Sequence, residues 1–164
     1  MNLIAYFSHT GENYSVGIIN KGNTEIVAEC ISEFIGGDLF EIKPIREYSK
    51  DYKTCCDEAK KEYINNTRPE LKEYLDNIDN YDTIYLGYPI WWGTMPMEVY
   101  TFLSHYDFTD KIIIPFSTHE GSGLGNSVND IKKLVSNAVI KEGISIRGSN
   151  AKKSKQKIAD WLNQ

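Results

Sequence analysis

The chain has 164 residues, 41% of them apolar and 25% charged, the size of one modal domain with an ordinary globular composition, which excludes a disordered chain. Its formal charge is −5 and no run of lysines and arginines forms a basic face, so neither nucleic acid nor membrane is an expected partner. The opening apolar run, Met1 to Phe7, turns polar at Ser8; it is too short for a signal peptide or a membrane span, and a single cytoplasmic domain over 1–164 is the expectation.

Leu3 to Phe7 is the first predicted strand. Val27, Cys30, Ile31 and Phe34 then recur at helical spacing, and Gly36-Gly37 stands where a left-handed C-cap ends the first helix. Leu39 to Ile42 is the second strand. From Asp51 to Asn65 the chain is rich in lysine and glutamate, with Tyr52, Cys56, Ala59 and Tyr63 at helical spacing, which predicts a mostly exposed second helix. Cys30 and the neighbours Cys55-Cys56 form an odd set with no C-x-x-C spacing, so reduced thiols are expected. Thr67 to Asn80 reads as an irregular connection or as a short helix through Leu71, Tyr74 and Leu75.

The third strand runs from Thr83 to Tyr88, and Pro96 opens a third helix carrying Val99, Phe102 and Leu103. Lys111 to Phe116 is the fourth strand; Pro115 lacks an N–H to donate and is expected at the strand's last, unpaired position. Val128, Ile131, Leu134 and Val135 form the stripe of a fourth helix, Val139 to Ile146 is the fifth strand, and Ile158, Trp161 and Leu162 belong to a closing fifth helix. Strands alternate with helices, and runs such as Ile84-Tyr85-Leu86 and Ile112-Ile113-Ile114 are apolar at every position rather than at alternate ones. The expected fold is therefore α/β, a doubly wound five-stranded parallel sheet with helices on both faces.

In an open α/β sheet a ligand sits outside the carboxyl ends of the strands, where strand order reverses. The loop after the first strand offers hydroxyls at Ser8, Thr10 and Thr24, the Asn23 amide, and glycines that let backbone N–H groups approach an anion at the start of the first helix. It accommodates a phosphate; equally, Asn23 or Thr24 caps the helix while Ser8 and Thr10 make a polar turn. After the third strand, Pro89-Ile90-Trp91-Trp92-Gly93-Thr94 sets two indoles in a tight segment. They either plug a corner of the core or stack on a planar ring, and the Gly93 peptide is free to turn over with the ligand's protonation. After the fourth strand, Ser117-Thr118-His119-Glu120-Gly121-Ser122-Gly123 brings backbone close to whatever the tryptophans face. Together the three loops describe a slot with a phosphate pocket at one end and aromatic walls at the other.

Other readings of these loops fail. Gly17 to Thr24 has the G-x-x-x-x-G spacing of a nucleotide-phosphate loop but Asn23 where the lysine belongs. No acidic cluster at the ends of strands one and three could hold Mg²⁺, and no G-x-S-x-G elbow links a strand to a helix.

The residues resemble the flavodoxin family. Ser8-His9-Thr10, resumed at Gly22-Asn23-Thr24, is similar to its phosphate loop; Tyr85 to Pro96 is similar to the flavin-ring loop of a bacterial branch, and Phe116-Ser117-Thr118-His119 to its second ring loop. The resemblance implies the sheet order 2-1-3-4-5, of which the family is itself a standard instance, with FMN at the switch point. Ser8, His9, Thr10, Gly22, Asn23 and Thr24 would hold the phosphate, and Pro89, Ile90, Trp91, Trp92 and Gly93 with Thr118, His119, Gly121, Ser122 and Gly123 would line the ring. Gly11 to Lys21 interrupts the family's phosphate loop. Either it loops outward, the favoured expectation, forming a rim or a partner surface, or Asn13 replaces Asn23 as donor. The small chain with no separate nicotinamide module suggests an electron carrier serving redox partner proteins or a small acceptor, as a monomer or weak homodimer. The alternatives are an FMN-dependent NAD(P)H:quinone or nitroreductase-like oxidoreductase, and a flavin-free binding module. His9 and His119 lie on ligand-side loops, whereas His105 is expected at the surface or as a helix cap.

Overall fold

A computed structural model describes residues 1–13 and 16–164, the side chains of Glu12 and Asn13 excepted. The elements in chain order are β1 (Asn2–Tyr6), β2 (Gly11–Asn13), β3 (Gly17–Ile19), α1 (Asn23–Ile35), β4 (Asp38–Glu41), α2 (Tyr52–Ile64), β5 (Thr83–Pro89), α3 (Met97–His105), β6 (Ile112–His119), α4 (Ser127–Leu134), β7 (Val139–Ile140), β8 (Ile144–Arg147), a 3₁₀ turn (Gly148–Lys153) and α5 (Lys155–Leu162). The main sheet has the order β4-β1-β5-β6, with β7 and β8 side by side along the outer edge of β6. Every pairing in it is parallel. Counting β7 and β8 as one interrupted strand, this is the expected 2-1-3-4-5 order.

Both sheet faces are covered. Leu3 and Ala5 on one side of β1, with Phe7 just beyond its end, pack with Val99, Phe102 and Leu103 of α3 and Ile131 of α4. Ile4 and Tyr6 on the other side pack with Val27, Ala28 and Ile31 of α1 and Ile158 of α5. This is the strand period of two meeting the helical period of 3.6. Local chemistry sets the helix ends: the Asp51 carboxylate accepts the Thr54 amide at 3.0 Å to cap α2, and Gly36, at φ 69°, donates its amide to the Ser32 carbonyl to close α1.

Four details depart from or refine the sequence reading. Pro115 is not terminal; β6 continues to His119, and Pro115 pairs with Leu86 of β5 inside the strand. Val139 and Lys141 donate to the carbonyls of Lys111 and Ile113, so the odd-numbered residues of β6 face the outer edge. The N–H that Pro115 lacks therefore falls opposite the interruption between β7 and β8, where no ladder bond is lost. The interruption itself centres on Gly143, whose Cβ, if present, would stand 2.1 Å from the Pro115 carbonyl oxygen. Residues 67–80 form no helix; Leu71 bridges Pro44 and is buried with Ile78. The interrupting segment after Thr10 folds as a separate antiparallel hairpin, β2–β3, with Gly11 pressed against Lys50 at the approach to α2. No helix of the described residues is long and apolar enough to cross a membrane.

At the centre of the sheet the Phe116 ring lies directly over Gly87 on β5, so close that a Cβ there would meet it at 2.1 Å. Gly87→Ala is expected to cost about 1–3 kcal/mol of stability by overpacking, measured as a lowered urea midpoint at unchanged slope.

Candidate functional site

The carboxyl ends of β1, β5 and β6 open onto a cavity of about 350 Å³, at the lower end of the ~300–1000 Å³ range of small-molecule sites. One end is built on the first turn of α1. A side chain at Gly22 would put its Cβ 1.9 Å from the Ser8 hydroxyl, so only glycine lets β1 and α1 meet here. The Ser8 hydroxyl accepts the Glu25 amide at 3.2 Å, which makes Ser8 a cap for α1. Ser8 and Gly22 thus support this end from behind, and they and Thr10 lie off the lining. Asn23 and Thr24 do line the cavity, and their amides, in the first helical turn, have no intrahelical acceptor. The Thr24 and Thr118 hydroxyls share a buried hydrogen bond of 2.7 Å, joining α1 to β6. The side chain of Asn13, the alternative donor, lies outside the described residues.

His9 completes this end. Burial, and then the nearby Lys50, hold its imidazole below the usual range despite Glu58, so it is neutral at pH 7. Gly148 closes over Asn23: a Cβ at Gly148 would stand 2.6 Å from the Asn23 amide nitrogen. The Gly148 turn is fastened by Glu120, whose carboxylate accepts the Ser149 amide at 2.6 Å and faces Arg147 at 3.5 Å.

The other end is a tight turn. Trp91 and Thr94 exchange backbone hydrogen bonds of 2.8 and 3.2 Å, while Trp92 and Gly93 sit at φ 54° and 83°, the left-handed pair that a type I′ turn requires. A bulky side chain is strained in that region. The turn is held from outside by the Asn126 amide, which donates to the Gly93 carbonyl at 2.7 Å, and by Thr94, bonded to Tyr100 and the Asp130 carboxylate. The Gly93 carbonyl is thereby engaged with the start of α4, and Gly93 does not line the cavity.

The two indoles differ. Trp91 stands edge-on to Phe7, His9 and Tyr48 with centroids 5.1, 5.6 and 5.0 Å away, so it is both core wedge and cavity wall. Trp92 is 46% exposed at the rim; its indole N–H donates to the Cys56 carbonyl at 3.1 Å, and the Lys60 ammonium lies 5.0 Å from its ring. Pro89 and Ile90 line the cavity beside them.

Thr118 and His119 of β6 and Ser122 of the loop after it reach the lining. Gly121 and Gly123, at φ 132° and 63°, shape the bend: the Gly121 amide donates to His119 Nδ1 at 2.8 Å, and the Ser117 hydroxyl donates to the Gly123 carbonyl at 2.7 Å. Burial and Arg147 lower the His119 pKa. His105 is away from the site, against Tyr74.

A fourth wall went unrecognised in the sequence. Tyr52, Cys55, Cys56 and Ala59 of α2 face the cavity, as do Glu120 and Gly148. The stripe Tyr52-Cys56-Ala59 was visible as an apolar helix face, but nothing local said what it covers. All three cysteines are free thiols, and burial pushes Cys55 up to about 12, leaving it unreactive. Among the described residues no group of histidine, cysteine and carboxylate side chains could hold a metal ion.

The chain is similar to several solved structures. A candidate flavoprotein from Bacteroides eggerthii is 31% identical with TM-score 0.80, covering 99% of this chain and 95% of that one. Another from Bacteroides uniformis is 28% identical with TM-score 0.82, covering 99% and 97%. A Lactobacillus acidophilus flavoprotein solved in complex with FMN is 24% identical with TM-score 0.67, covering 93% and 96%. No curated protein matches the chain. The family model described as flavodoxin matches residues 2–164, and with the parallel 2-1-3-4-5 sheet and the cavity at its switch point, the chain belongs to the flavodoxin family.

Proposed function

We propose that the chain binds one FMN in this cavity and carries electrons between partner proteins. The observation that carries the reading is the pairing, in one cavity, of the open Asn23 and Thr24 amides of the first turn of α1 with an aromatic turn at the carboxyl ends of β1 and β5. The group fits the residues. Asn23 and Thr24 offer side-chain donors and first-turn amides to a phosphate, and the helix dipole favours the anion there. Neutral His9 adds a further polar group. Glycine at position 148, a lining residue whose Cβ would stand against the Asn23 side chain, keeps the cradle open, and glycine at position 22 lets β1 and α1 meet behind it. Among the described lining residues Glu120 is the charged one, and its carboxylate is turned to Ser149 and Arg147.

Bound FMN would supply one- and two-electron chemistry. The protein's part is to bind, orient and shield. Trp91 is immobilised by Phe7 and Tyr48 and presents a fixed aromatic wall; Trp92 covers the rim, where a redox partner or small acceptor would meet the ring edge. Ser8, Gly22, Gly93, Gly121 and Gly123 shape these loops, and Thr118, His119 and Ser122 offer polar atoms to the ring's far edge. The small chain with no separate nicotinamide module supports a carrier over a reductase. The acidic net charge disfavours a negative charge on the reduced ring and lowers its potential.

An absorption spectrum after FMN addition and desalting, followed by anaerobic photoreduction, tests the reading. Retained flavin that accumulates a one-electron-reduced form is expected. Direct passage to the two-electron form with rapid steady-state NAD(P)H oxidation would favour the quinone or nitroreductase alternative, and loss of flavin on desalting would refute FMN binding.

The two walls should separate by mutation. Trp91→Ala is expected to cost on the order of 3 kcal/mol in stability, whereas Trp92→Ala leaves the urea midpoint near wild type and weakens FMN binding about tenfold, about the size of one aromatic contact. Equal effects of the two on stability would sink this division.

At the phosphate end, Asn23→Ala is expected to weaken FMN about tenfold or more and riboflavin little, since hydrogen bonds to charged groups contribute about 1.5–3 kcal/mol. Thr10→Val should change neither affinity; titration calorimetry with both ligands reads the difference.

A further inference from the structure

Behind the two tryptophans lies a group of side chains that the flavin reading does not use. The Tyr48 hydroxyl, from the β4–α2 connection, contacts Glu62 Oε1 of α2 and, at 2.7 Å, Glu98 Oε1 of α3. Glu98 is fully buried, at 0% exposure, and its second oxygen has no hydrogen-bond partner among the described residues. Glu62 is half-buried. A phenol has one proton to donate. With two carboxylates against one hydroxyl, both contacts are hydrogen bonds only if one carboxyl carries a proton of its own and donates it to the Tyr48 oxygen. The fully buried carboxyl, which ionises at the greater cost, is the one that holds it.

We infer that Glu98, Tyr48 and Glu62 form a binding site for one exchangeable proton, set one aromatic layer beneath the flavin cavity and linked to solvent through Glu62. The inference of a redox link rests on the FMN reading above; the proton site itself does not. In the exchange step Glu98 passes its proton to the Tyr48 oxygen while the Tyr48 hydroxyl proton passes to Glu62 Oε1. The bonds broken are the Glu98 and Tyr48 O–H bonds, the bonds formed are those of Tyr48 and Glu62, and Glu62 then equilibrates with water. No electron moves. Tyr48 stays protonated throughout, because burial and the two carboxyls drive its pKa well up.

The site is close enough to the cavity to matter. The Tyr48 ring meets Trp91 edge-on at 5.0 Å, and Tyr48, Glu62, Trp91 and Trp92 share the walls of one small void. A loaded Glu98 is a neutral neighbour to the ring. An emptied one is a buried carboxylate, whose field in a low-dielectric interior opposes the arrival of an electron. Burial, opposed by the Tyr48 hydrogen bond and reinforced by Glu62, sets the Glu98 pKa at about 8. The other groups facing the site are Arg46 from the β4–α2 connection and Glu58 and Cys55 from α2.

The sign follows from linkage. The folded pKa is raised above the unfolded 4.5, so this contribution to stability is complete below pH 4.5 and is lost as pH rises toward 8.

Infrared difference spectra of the full chain without added FMN, between pH 6 and pH 10, test the proton site. A protonated-carboxyl band lost with a midpoint near pH 8, absent in Glu98→Gln, is expected. No such band in the wild-type protein, or the same band in a folded Glu98→Gln, overturns the site whatever cofactor the protein takes. The redox link is read on the FMN-loaded protein: the first-electron potential should fall as pH rises through 8 and the fall should flatten in Glu98→Gln, with Tyr48→Phe as a second variant altering the same pH profile. Identical profiles in wild type and both variants overturn the link. Failure to retain FMN refutes the cofactor reading and the link with it, while the infrared result still decides the proton site.

Discussion

The structure depends on the parallel registration of β1 between β4 and β5, and of β5 against β6. Tyr6, Gly87 and Phe116 stand in consecutive register across the three central strands, and their backbone groups are satisfied by neighbours on both sides. With helices on both faces, only the last residues of the strands, Pro89 of β5 and Thr118 and His119 of β6, reach the cavity. Chemistry is left to the loops at the carboxyl edge, and the register brings those after β1, β5 and β6 to one place. The contact that tightens this centre is the Phe116 ring over Gly87, which no larger residue at position 87 would permit.

The loops are then fixed to one another rather than left to move. The Thr24–Thr118 hydroxyl bond ties the first to the third, Ser117 holds the bend at Gly123, and Asn126 holds the turn at Gly93. A site of bonded loops keeps its geometry before a ligand arrives, which reduces the ordering cost of binding. Trp92 is the exception to local ease. A left-handed conformation costs a non-glycine residue roughly 1–2 kcal/mol, and here it is stabilised by the Gly93 turn and the Cys56 carbonyl.

Glu98 shows the same economy in the core. The first turn of α3 buries a carboxyl where an apolar residue would pack more simply, and only its partnership with Tyr48 makes that tolerable. Neither residue is near the other in sequence, and neither belongs to a recognisable motif. Their significance lies in a meeting of three elements: α2, α3 and the β4–α2 connection that carries Tyr48.

What the sequence by itself determined is the alternation of elements and the identity of the ligand-side loops. Uninterrupted apolar strands such as Ile112-Ile113-Ile114 have no wet face to spare, so parallel pairing and double coverage follow from their composition alone; Gly36, Asp51 and Pro96 mark helix ends by chemistry confined to a few residues. The flanking loops after β1, β5 and β6 were legible for the same reason. What only the tertiary structure decided is which of two roles each ambiguous residue takes. Ser8 caps α1 because Gly22 lets the strand come within reach; Pro115 sits inside β6 because the neighbouring strand is broken opposite it; Trp91 wedges into the core while Trp92 stands at the rim. The wall supplied by α2 and the proton held by Glu98 arise from contacts between segments far apart in the chain, and local periodicity carries no information about what an apolar face or a buried carboxyl will meet.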